Sequence, residues 1–84
     1  MEELREVGRV SHFFSRINVA IIELTDTISV GDQILIKGPT TDIGQTVDSM
    51  EIEHKKVEQA GAGQSIGMKV NGRVRENDSV YKTD

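Results

Sequence analysis

The side chains that could do chemistry are few: His12 and His54, the carboxylates Glu51 and Glu53 beside the second histidine, Phe13 and Phe14 next to Arg16, and the pair Lys55-Lys56. If the strands that carry them paired, two imidazoles and one acid would meet, which is a donor set zinc accepts. Glu51 and Glu53 lie two apart on an extended stretch and so share a face, as paired acids must to divide acid and base roles. The plainer reading of both groups is a solvated strand face in an acidic domain, and it is the one adopted. The glycine-lysine pattern of a phosphate-binding loop is absent, so the chain binds no GTP by that route. Neither histidine sits in a nucleophile motif. The residues therefore predict a non-enzyme, with no metal and no cofactor.

The aromatic-basic cluster is more suggestive. With two phenylalanines, one tyrosine and no tryptophan, one phenylalanine has to fill the core, and the other is free to stack on a base or an adenine ring. Phe13 as a platform, with Arg9, Arg16, Lys55 and Lys56 as a local basic rim, gives the physical form of an RNA contact. The whole-chain charge has the opposite sign. Ten Lys and Arg face 14 Asp and Glu, a net of −4. Bulk electrostatics would not hold a polyanion, so any RNA contact is small and local. An acidic surface suits a protein partner better.

The elements that position these residues are strands. The stretch Gln59–Gly72 opens on Gly61 and Gly63, which reach backbone conformations closed to other residues. It then alternates Ile66, Met68 and Val70 with smaller or charged residues, and ends on the turn dipeptide Asn71-Gly72. Val30-Gly31-Asp32 launches a similar strand, Gln33–Lys37, and Arg75–Asp78 launches a last one at Val80-Tyr81. A first strand is expected over Val7–Phe14, with Val10, His12 and Phe14 on one side and Arg9, Ser11 and Phe13 on the other. Gly8 there suits a bulge or a close backbone approach. The second, Ile17–Leu24, is apolar on both faces, Ala20, Ile22 and Leu24 on one and Val19 and Ile21 on the other. It must be central or covered by a partner. Gly38–Asp42 reads as an exposed loop. A fourth strand is expected over Gln45–Val57, with a bulge near Asp48-Ser49 to reconcile Val47 with Met50 and Ile52. Lys55–Ala60 reads as loop or one helical turn. Six short strands with regular turns predict an all-β fold, a small closed six-stranded antiparallel barrel of Greek-key type, as one domain over residues 1–84.

Composition sets the remaining bounds. The chain has no cysteine, hence no disulfide framework, and 36% hydrophobic residues, hence a compact aliphatic core. It holds no apolar run long enough to span a bilayer, and its first six residues are acidic where a signal peptide would be basic and then apolar. A cytoplasmic protein with no membrane partner is expected.

The order of motifs resembles domain 2 of the translational GTPases, the small barrel of elongation factor Tu and its relatives. The resemblance rests on Val7-Gly8-Arg9-Val10, on Arg16 before a β-branched strand, and on Val30-Gly31-Asp32 before Ile34-Leu35-Ile36. It continues through Val47, Met50-Glu51-Ile52 and Lys55-Lys56-Val57 to the run Ala60–Val70, and so covers about Val7 to Lys82. The chain also looks like the accessory barrel at the C-terminus of collagenase-like peptidases, some relatives of which act in tRNA modification, and like stand-alone elongation-factor-like proteins. The first resemblance implies a translation-factor module that docks on tRNA or ribosomal RNA. Glu51 and His54 match positions near the tRNA end, and Gln64 and Ser65 match the turn that borders the terminal adenosine. The chain departs from the pattern at Gln64, where an acid is usual, at Ser65, where asparagine is frequent, and at Arg16-Ile17-Asn18, where the factors have Gly-Arg-Gly. The expected function is thus a non-catalytic RNA-facing module of protein biosynthesis. The alternative is a protein-interaction or accessory barrel that works with a partner protein.

Overall fold

The computed structural model describes residues 4–83. Ten strands follow one another, with no helix among the described residues. They are β1 (Leu4–Phe14), β2 (Val19–Leu24), β3 (Ile28–Ser29), β4 (Gln33–Gly38), β5 (Thr41–Thr46), β6 (Met50–Ile52), β7 (Lys55–Val57), β8 (Gln59–Ala60), β9 (Ser65–Lys69) and β10 (Ser79–Thr83). Every pairing is antiparallel. Eight strands form one sheet in the order β5-β4-β10-β1-β2-β9-β6-β7, and β3 pairs with β8. The fold is all-β, as the alternation and turns predict. It departs from a closed six-stranded barrel in having more and shorter strands and a ladder with two ends, at β5 and β7.

The sheet curls although its ladder stays open. Gln45 of β5, the first strand in the order, donates from Nε2 to the Lys69 carbonyl of β9 at 3.0 Å, and its Oε1 accepts from the Asn71 N–H at 2.8 Å. One amide side chain thus stands in for ladder bonds between strands far apart in the sheet. Inside the curl, Val10, Ala20, Ile22, Leu24, Ile34, Ile36, Ile66, Met68 and Val80 alternate onto one buried aliphatic core. Ile28 and Ala60 of the small sheet, Met50 of β6, and Val47, Val70 and Val74 from the connections complete it. Each valine, leucine, isoleucine or methionine among them is worth about 1.5–3 kcal/mol relative to exposure. Gly8 lies where β1 presses hardest on β2, since a Cβ there would stand 2.8 Å from the Glu23 carbonyl oxygen and from Ile22 Cγ2.

Five expected elements take a different form. In β1 the register shifts between Glu6 and Gly8 and again between Val10 and His12. The second bulge inverts the alternation. Phe13 packs against the core, while Phe14 is 44% exposed. The expected Ile17–Leu24 strand starts at Val19, because residues 15–18 form a turn that ends on Asn18 in the left-handed region, φ 55°. The long Gln45–Val57 strand is broken twice. Val47 leaves the ladder to bond Asp32 and Gly31 through its backbone while its side chain stays buried. The chain then reverses at Glu53-His54, a two-residue turn with φ of 52° and 66° between paired Ile52 and Lys55. The expected exposed loop Gly38–Asp42 is a tight hairpin turn, exposed at Pro39-Thr40, with Gly38 and Thr41 paired and Thr41 buried. Lys55–Ala60 is strand, in β7 and β8, and not a loop or helical turn.

Candidate binding groove

The second apolar face of β2 is where a site forms. Val19 and Ile21 point away from the core and are half-buried, and they floor a groove of about 500 Å³. Phe14 and Ile17 wall one side, Ile17 lifted there by the 15–18 turn and 60% exposed. Ser65, Gly67 and Lys69 of β9 continue the floor, and Ser49, Glu51, Glu53 and His54 form the opposite wall. Ladder register explains the hollow. Ile21 pairs with Gly67, and Gly67 with Glu51, so one row across three strands reads isoleucine, no side chain, carboxylate. In the next row Val19 pairs with Lys69. A strand glycine at an outer position leaves a depression that any larger residue would fill. The volume falls within the range of ordinary ligand sites.

The groove is apolar at one end and anionic at the other. Four ion pairs occur among the described residues: Arg5–Asp26, Arg9–Glu23, His12–Glu76 and Lys82–Asp32. None engages Glu51 or Glu53. Lys56 is the register partner of Glu51, yet the two make no ion pair. No hydrogen bond joins Ser49 or Ser65 to His54 among the described residues, so the groove holds no nucleophile-base couple.

Of the residues singled out in the sequence, the groove brings together Phe14, Glu51, Glu53, His54 and Ser65. Arg9 is exposed and paired with Glu23 at 3.7 Å. Arg16 is exposed on the β1–β2 turn, and Lys55 and Lys56 are exposed on β7, the edge strand. Gln64 is spent within its own turn, where Oε1 accepts the Gly61 N–H at 2.8 Å. Phe13 is no stacking platform, because the bulge turns it onto the core. Phe14 takes the exposed position, its ring 4.6 Å from that of His12. The two histidines do not meet, since β2 and β9 lie between their strands, and no group of three or more potential metal ligands occurs among the described residues. The sequence reading has Phe14 in its aromatic-basic cluster but prefers Phe13 as the exposed ring, and it gives no role to Ile17, Gly67 and Lys69 of the groove. The signal for them was the second apolar face of β2 together with the glycine interrupting Ile66 and Met68.

No protein-family model matches the chain. Over 77 residues, 90% of this chain and 19% of the relative, it is 48% identical to a protein of Methanocaldococcus jannaschii named as an uncharacterized protease. It is 40% identical over 80 residues to a collagenase of Porphyromonas gingivalis, covering 93% of this chain and 22% of the relative. An elongation factor 1-alpha of Ignicoccus hospitalis is 41% identical over 54 residues, 64% of this chain and 12% of the relative. Among solved structures, the C-terminal domain of a putative U32 peptidase from Geobacillus thermoleovorans superposes with a TM-score of 0.87, covering 93% of this chain and 91% of that one at 17% identity. That likeness establishes a shared fold. The chain spans about a fifth of the length of the protease and the collagenase it matches. These findings overturn the expected translation-factor-like, RNA-binding role in protein biosynthesis. The peptidase-type relatives match nearly the whole chain, at up to 48% identity, whereas the elongation factor matches 64% of it. The resemblance to the collagenase-like accessory barrel is the one the relatives support.

Proposed function

We propose that this chain is a non-catalytic accessory module of the peptidase-collagenase type, which docks polypeptide for a catalytic portion it does not itself contain. The observation that carries the reading is the pattern of coverage. Nine-tenths of the chain matches a segment that makes up only a fifth of proteins named as protease and collagenase. A segment of that size with its own core and an open groove is suited to binding, and no hydrogen bond among the described residues couples a groove serine to His54 as a nucleophile to its base.

A chimaera tests this. In the P. gingivalis collagenase, the matched segment is deleted or replaced by this chain, and hydrolysis of gelatin is followed. Deletion should raise KM about tenfold with a smaller change in kcat, the mark of lost uniform binding, and the replacement should restore KM. A chimaera no better than the deletion, or gelatin hydrolysis by this chain alone, overturns the reading.

A further inference from the structure

We propose that the groove over Gly67 takes an extended peptide segment bearing an apolar side chain and, two or three residues away, a lysine or arginine. The inference rests on the docking role just proposed and names its ligand class. The groove runs across β1, β2, β9 and β6, three strand spacings or roughly 14 Å, which is about four residues of extended chain. Its floor strands β2 and β9 are each paired on both sides. They have no free ladder edge to offer, so strand addition is not the mode and recognition falls to side chains.

Those side chains are segregated. Phe14, Ile17, Val19 and Ile21 make one end an apolar seat for an aliphatic or aromatic group. The hollow over Gly67 gives that group depth, since a Cβ there would touch Ile21 Cδ1 at 3.6 Å and Val19 Cγ1 at 3.7 Å, ordinary contact distances. At the other end Glu51 and Glu53 are two carboxylates outside every ion pair of the described residues. β2 and β6 are two spacings apart, roughly 10 Å, which an extended peptide covers in two or three residues with a long basic side chain reaching the remainder. Lys69 stands on β9 in the register row of Val19, between the apolar seat and the carboxylate wall.

The rim is also held in strain. Glu53 and His54 both occupy the left-handed region, with φ of 52° and 66°, where asparagine and glycine are the favoured residues of a two-residue hairpin. A turn that retains glutamate and histidine at a conformational cost is consistent with those side chains serving the groove.

The experiment is fluorescence anisotropy of the purified chain with labelled five-residue peptides. The reference has leucine and arginine two positions apart in a glycine-serine background, one variant replaces leucine by serine, and another replaces arginine by glutamate. The reference should bind saturably, the serine variant about tenfold more weakly, and the glutamate variant at least threefold more weakly. Gly67→Leu should fill the floor and abolish binding while circular dichroism shows the fold retained. Glu53→Asn/His54→Gly should fold at least as well as the parent and bind about threefold more weakly. Equal binding of all three peptides, or unchanged binding by folded Gly67→Leu, overturns the proposal. If no peptide binds while the chimaera still restores KM, this inference falls and the accessory role stands. Peptide binding with a failed chimaera has the opposite meaning.

Discussion

Gln45 shows how much can hang on one residue. Its side chain is almost fully buried at 7% exposure, and both ends of its amide are bonded, Nε2 to the Lys69 carbonyl and Oε1 to the Asn71 N–H. Truncation to alanine leaves that carbonyl and that N–H unpaired in a semi-buried seam, each at a cost of about 1–3 kcal/mol. Gln45→Ala should therefore lower the unfolding free energy by about 2–6 kcal/mol in urea titrations. A loss below about 0.5 kcal/mol would mean that water replaces both bonds and the clasp is not structural. Nothing in the sequence marked this glutamine, because its partners lie 24 and 26 residues away and are set by the curl of the sheet. Glycines were more legible. Gly8 was read as a close approach or bulge and is both. Of the turn glycines Gly31, Gly61 and Gly63, the first and last have positive φ, whereas Gly61 is not among the positive-φ residues.

Among the elements, the β6–β7 hairpin carries the clearest trade-off. Ile52 and Lys55 pair across Glu53-His54, and each non-glycine residue in the left-handed region costs about 1–2 kcal/mol. Asn-Gly is the dipeptide this turn geometry favours. Glu53→Asn/His54→Gly should thus raise stability by about 1 kcal/mol, read as a higher urea midpoint at unchanged m-value. A lower midpoint would show that the two side chains stabilise the fold, which would remove strain as an argument for the groove. This hairpin was hidden in the sequence because it uses none of the usual turn residues. The alternation did slip between Val47 and Met50, and that slip marks where the expected single strand breaks. The bulge in β1 was equally invisible. One extra residue at Ser11 exchanges the roles of Phe13 and Phe14, and strict alternation assigns them the other way. The two faces of β2 were readable, since six consecutive residues stay in register.

For the whole molecule, an open ladder and a curled core make different demands on local stability, and hydrogen exchange separates them. β1, β2, β9 and β10 lie inside the eight-strand order, each flanked by partners and each contributing to the core. β7 is a terminal strand of three residues with Lys55 and Lys56 exposed, and β3 and β8 pair over only two residues each. The interior strands can open only with the core, so their amides should exchange near the global unfolding rate. Those of β7 should exchange at least about a hundredfold faster through local opening. β5 is the discriminating strand. It ends the ladder in the same way as β7, yet Gln45 ties it to β9 across the curl. If the clasp makes the sheet behave as a closed unit, β5 amides will be protected like the interior strands, and Gln45→Ala will drop them to the level of β7 while β2 falls only by the global loss. If β5 already exchanges as fast as β7 in the parent chain, the clasp does not close the ladder and the molecule behaves as an open sheet with two labile ends.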